Sequence, residues 1–158
     1  MKRLFTLVIV LAAGLGVVAG CGGEERLSRD EFSDRLQSIG QEGSERWGAL
    51  AQRAADLKPG QPIPADVGQS LRELVEFQRQ AVSELEGINA PEDAGEPVEM
   101  LIDAFAERTA TFEQAIDAGS FTERQSGQIT QSGEKINEAF ERLRKDGFLP
   151  KEEAHEDE

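Results

Sequence analysis

The chain has 158 residues, with 31 Asp and Glu against 17 Lys and Arg, and so a net charge of −14. That balance excludes nucleic acid as a partner, and it excludes charge-driven docking on anionic headgroups, because both need a basic surface. One Cys and one His leave no internal disulfide and no Cys/His cluster for zinc.

The first element is a leader. Lys2 and Arg3 precede an apolar run from Leu4 to Val18, and Gly14, Gly16 and Gly20 loosen its end. A charged start, an apolar middle and a small-residue exit are the parts of a secretory signal peptide. The run is shorter than the roughly 20 apolar residues of a membrane-spanning helix, and the acidic Gly22-Gly23-Glu24-Glu25 that follows is no stop-transfer signal. Val18-Ala19-Gly20-Cys21 resembles a bacterial lipobox. The resemblance implies a diacylglycerol on the Cys21 thiol, cleavage before Cys21 and acylation of the new amine. Two or more acyl chains, at about 0.8 kcal/mol per buried CH₂, hold a protein stably where one is marginal. The competing reading of Cys21 is a buried or reactive cysteine inside an ordinary signal peptide. Cleavage would leave 138 residues, which suits one domain, and loss of Lys2 and Arg3 takes the charge from −14 to −16.

Residues 21–27 read as a polar linker. Ser28-Arg29-Asp30-Glu31 fits a capping box, with Leu27 and Phe32 placed as a hydrophobic staple. Phe32, Leu36, Ile39, Gly43, Trp47, Leu50, Ala54 and Leu57 then form one stripe of three- and four-residue steps, and Lys58-Pro59-Gly60 stops the helix. Residues 58–64, with three prolines and a glycine, form a stiff surface loop. The second helix is predicted over 65–88, with the stripe Val67, Leu71, Leu74, Phe77, Ala81, Leu85 and Ile88, and Asn89-Ala90-Pro91 breaks it. The third runs over 96–118 behind a kinked start, with Pro97 in its first turn. Its stripe is Val98, Leu101, Phe105, Thr109, Phe112 and Ile116, and Gly119 ends it. Ser120-Phe121-Thr122-Glu123 reads as the next capping box. The fourth stripe is Phe121, Ile129, Gly133, Ile136, Phe140 and Leu143. Gly147 fits a left-handed cap that brings Phe148 onto Leu143. The charged tail from Lys151 to Glu158 has too little apolar content to pack and reads as disordered. With no strand pattern anywhere, the fold class is all-α: an antiparallel up-down four-helix bundle over 28–149.

Chemistry is sparse. The single His155 lies in the tail, so neither the Glu-x-x-His di-iron pattern of bundles nor a Ser-His-Asp set can form, and the tail itself reads as a solvated acidic segment rather than a cation site. Glu99, Asp103 and Glu107 pair at spacing four on an outer face, where carboxylates have no pocket to work in. No catalytic residue, metal ligand or cofactor is predicted. The glycines stand out instead. Gly40, Gly43, Gly127 and Gly133 fall inside helices, each costing about 1 kcal/mol relative to Ala. Gly43 and Gly133 lie on apolar stripes near the middles of helices that neighbour each other in an up-down bundle. They read either as close helix approach or as a hollow beside Trp47 for an apolar ligand. Trp47 alone reads as core or as a half-exposed helix residue.

Leu27-Ser28-Arg29-Asp30-Glu31-Phe32, Leu85-Glu86-Gly87-Ile88-Asn89-Ala90-Pro91-Glu92-Asp93 and Gly147-Phe148-Leu149 together resemble a loose group of uncharacterised bacterial secreted lipoproteins. The resemblance implies a helical bundle outside the membrane and no assigned activity. Members often carry two cysteines near the positions that are Gly40 and Lys151 in this chain. The expectation is therefore a non-catalytic binding or structural module at the cell envelope, held to the membrane through Cys21, with an envelope protein as partner and no nucleic acid. The alternative is a carrier of a small apolar ligand at Gly43, Trp47 and Gly133.

Overall fold

The computed structural model describes residues 27–150. The leader, Cys21 and the tail from Lys151 lie outside the described residues. Four helices make up the fold: α1 (Arg29–Ala54), α2 (Ala65–Gly87), α3 (Gly95–Ala118) and α4 (Glu123–Lys145), with a 3₁₀ turn at Glu92–Ala94 leading into α3. Among the described residues there is no strand, only an isolated bridge between Pro62 and Ser120. None of the described helices is long and apolar enough to cross a membrane.

Consecutive helices run antiparallel, as cross-helix pairs show. Arg35 near the start of α1 pairs with Glu84 near the end of α2 at 3.5 Å, while Arg53 at the other end of α1 meets Ser70 near the start of α2. Arg79 of α2 pairs with Glu113 of α3. Glu96 at the start of α3 pairs with Arg142 at the end of α4 at 2.6 Å, and Lys135 with Glu107 at 2.8 Å. These exposed pairs report direction more than stability, since each is worth about 0–1 kcal/mol. Stability comes from one core of apolar side chains drawn from every helix, including Phe32, Leu36, Leu71, Leu74, Leu101, Phe112 and Leu143, all essentially free of solvent.

The local signals explain most boundaries. Ser28 caps α1: its Oγ accepts from the Glu31 N–H and Glu31 accepts from the Ser28 N–H at 3.1 Å. These Ser28 hydrogen bonds hold the Glu31 carboxyl below its ordinary range. Gly119 and Gly147 have φ of 68° and 77°, a left-handed backbone that costs glycine least. At the end of α4 the Phe148 N–H donates to the Leu143 carbonyl at 2.8 Å and the Gly147 N–H to Arg144 at 3.1 Å, which is the Schellman pattern. Phe148 is thereby buried, edge-on to Phe32 with ring centres 5.4 Å apart.

Two boundaries differ from the sequence reading. Thr122 and Gln125, rather than Ser120 and Glu123, form the capping box of α4. The reason is tertiary. The Ser120 N–H is committed to the Ala115 carbonyl, and the Phe121 carbonyl accepts from Gly60 at 2.6 Å, so the chain stays extended for two more residues. The same contacts, with Ile63 N–H donating to Gly119 at 2.8 Å, tie the proline loop to the α3–α4 turn. The second difference is α1, which gives up regular helix at Ala54, before Leu57.

Candidate functional site

The backbones of α1 and α4 approach less closely than those of consecutive helices, and the seam between them opens at the end of the bundle remote from the start of α1. There a cavity of about 230 Å³ is lined by all four helices and both loops at that end. From α1 come Trp47, Leu50 and Ala54; Leu57 and Pro59 follow in the loop; α2 gives Val67 and Leu71. Phe112 of α3, Phe121 before α4, and Ile129 of α4 complete the apolar wall, with Ser126 and Lys58 as its polar members. Phe112 is the hub of the aromatic side, 6.3 Å from the Trp47 ring and 6.4 Å from that of Phe121. An apolar engineered cavity of about 150 Å³ holds benzene, so a site of this size can take a ring or a short hydrocarbon chain.

The predicted site residues separate. Trp47 lines the cavity and is the only large hydrophobic side chain exposed among the described residues, at 38%. Gly43 does not line it. A Cβ there would lie 3.2 Å from the Phe77 ring of α2, so Gly43 admits an aromatic ring against the α1 backbone, and Gly40 does the same for Phe140 of α4 at 3.3 Å. A Cβ on Gly133 would meet nothing within 4 Å, and Gly133 is absent from the cavity wall. The two glycines thus do not build a shared hollow. The space beside Trp47 lies toward the end of the bundle, because the wide seam and the loop-capped end leave it there.

Directly behind Trp47 is a feature that the apolar stripes concealed. Arg108 of α3 is 8% exposed, and Gln78 of α2 is 0% exposed. With the Gln78 oxygen toward Arg108, it accepts from both Nε and Nη2 at 2.9 Å, while the Gln78 nitrogen donates to Thr109 Oγ1 at 2.9 Å. The guanidinium lies 5.3 Å from the Trp47 ring centre and 5.6 Å from that of Phe105. No carboxylate among the described residues pairs with it. Burial lowers its pKa to about 10, so it stays charged at neutral pH. Ser132 of α4, 1% exposed, adds its hydroxyl near the same level, donating to the Ile129 carbonyl at 3.0 Å.

A spacing signal for this layer was present. Leu71, Leu74, Gln78, Ala81 and Leu85 step by three and four, and so do Leu101, Phe105, Arg108, Phe112 and Ala115. A polar residue at such a core position is expensive unless hydrogen-bonded, and choosing Phe77 and Thr109 for the stripe hides it. Among the described residues no group of three or more His, Cys, Asp or Glu could hold a metal. No protein-family model, curated protein or solved structure matches this chain.

Proposed function

We propose that this chain is a non-catalytic binding module of the cell envelope, lipid-anchored through Cys21 on the extracytoplasmic face, that receives a small apolar ligand in the cavity beside Trp47. The observation that carries the binding reading is the cavity itself: about 230 Å³, walled by apolar side chains of all four helices and opening at one end of the bundle. A largely apolar wall with a few polar members is what small-molecule sites are built from. The anchor rests on Val18-Ala19-Gly20-Cys21 and the leader before it. At 1.5 Å per residue, about 27 Å of helix separates the start of α1 from Trp47, so the cavity lies toward the end of the bundle remote from the start of α1.

Two arms test this. Fractionated cells expressing wild type or Cys21→Ser should show the wild type in membranes and the variant released; equal membrane partitioning refutes the anchor. Octan-1-ol should change Trp47 fluorescence, which is unambiguous because the chain has one Trp, and should raise the melting temperature. No change in either refutes the ligand.

A further inference from the structure

The cavity and the buried cation share a wall. Trp47 and Phe112 line the cavity, and the Arg108 guanidinium lies over the Trp47 ring, 5.3 Å from its centre. We infer that the ligand is a small amphiphile with a carboxylate head, whose apolar body fills the cavity while its head passes the edge of Trp47 to pair with Arg108. The inference rests on the apolar-ligand reading above and specifies its chemistry.

Three observations support it. First, a buried charge normally carries a partner of opposite sign, because taking an ion out of water costs several kcal/mol. Arg108 has only the neutral Gln78, although the chain holds 31 acidic residues. Second, Gln78 takes the Nε–Nη2 edge of the guanidinium. No described residue accepts from Nη1, and Nη1 is not among the buried atoms left without a partner, so this side meets water through the 8% of Arg108 that is exposed; two N–H donors side by side there match a carboxylate in bidentate geometry. Third, the aromatic ring between cavity and cation is half out in solvent: Trp47 is 38% exposed, whereas Phe112 is 1%. An indole turning about its two side-chain torsions opens the way without moving a helix. Gln78 and Thr109 then hold the guanidinium in place.

The test uses the full chain in phosphatidylcholine vesicles, with empty vesicles correcting for probe taken up by lipid. Octanoate and octan-1-ol have the same chain length and differ in the charge of the head. Wild type should bind octanoate at least about tenfold more tightly than octan-1-ol, the scale of a charge-assisted hydrogen bond, as read from Trp47 fluorescence. Arg108→Met, close to Arg in length and apolar, should keep octan-1-ol binding and lose the preference. Arg108→Lys, which keeps the charge without the fork, should retain a smaller preference. Equal binding of both probes by wild type overturns the carboxylate inference and leaves the apolar cavity standing. Binding of neither overturns both readings. A preference that persists undiminished in Arg108→Met, with the variant's melting curve intact, places the anion elsewhere and also overturns the inference.

Discussion

The two ends of the bundle are built from the same kinds of residue and finished differently. At the end where α1 begins, the chain closes its own core. Gly147 turns the backbone, Phe148 drops edge-on against Phe32, and Leu143 is sealed beneath it. Arg29 covers the Phe148 ring at 4.3 Å, and its cation is met by Asp93 and by the Asp146 carbonyl, each at 3.1 Å. At the far end the loops are tied together by backbone hydrogen bonds, yet the side chains inside leave a cavity and the Trp lies half out of it. Beside that cavity Arg108 is buried where Arg29 is exposed, and no carboxylate among the described residues pairs with it. A hollow of about 240 Å³ also occurs along the α1–α4 seam on the closed half, where Leu36, Phe140, Leu149 and Pro150 share the wall with Gln37, Gln41 and Arg144. Both halves therefore carry a largely apolar hollow, and what sets the far one apart is the aromatic wall of Trp47, Phe112 and Phe121 with the buried Arg108 beside it.

Breaking the closed end has the largest effect. Phe148→Ala should destabilise the protein by about 3–5 kcal/mol, the usual range for a fully buried Phe, in a urea titration. A loss under about 1 kcal/mol would mean that the C-terminal closure adds little. Next comes the polar layer. Gln78→Leu should cost about 2 kcal/mol, because the buried guanidinium loses its only acceptors. Gln78→Leu with Arg108→Met should recover most of that or exceed wild type, since a buried polar set is often less stabilising than apolar residues of similar volume. If the double variant is no more stable than Gln78→Leu alone, the layer contributes to stability and the argument for a functional cation weakens. The smallest effects separate the glycines. Gly133→Ala, with open space around its Cβ, should stabilise by up to about 1 kcal/mol. Gly43→Ala should gain less or lose, because the Phe77 ring must give way. Equal gains at both sites would contradict the close ring contact at Gly43.

Much of the fold was legible in sequence because helix ends are local events. Ser28 with Glu31, Gly119 and Gly147 act through neighbours within a few residues, so their roles survive the absence of tertiary information. The cap at Thr122 was not legible, since Ser120 offers an equally good local pattern and loses to two backbone bonds, its own N–H to the Ala115 carbonyl and that of Gly60, distant in sequence, to the Phe121 carbonyl. That a hollow lies beside Trp47 was legible in outline, and Trp47 does line the cavity. The pairing of Gly43 with Gly133 was not, because a glycine in a stripe is silent about which neighbour fills its space. Arg108 and Gln78 went unread for a different reason: hydrophobic periodicity counts apolar residues, and a charged core residue registers only as a gap.

The most direct measurement is methyl NMR of the protein titrated with octan-1-ol, because it reads both ends at once. Among Leu, Val and Ile methyls, the account predicts shifts confined to Leu50, Leu57, Val67, Leu71 and Ile129, with Leu36, Leu143 and Leu149 unmoved. Shifts at Leu36 and Leu149 instead, or none anywhere, would contradict it.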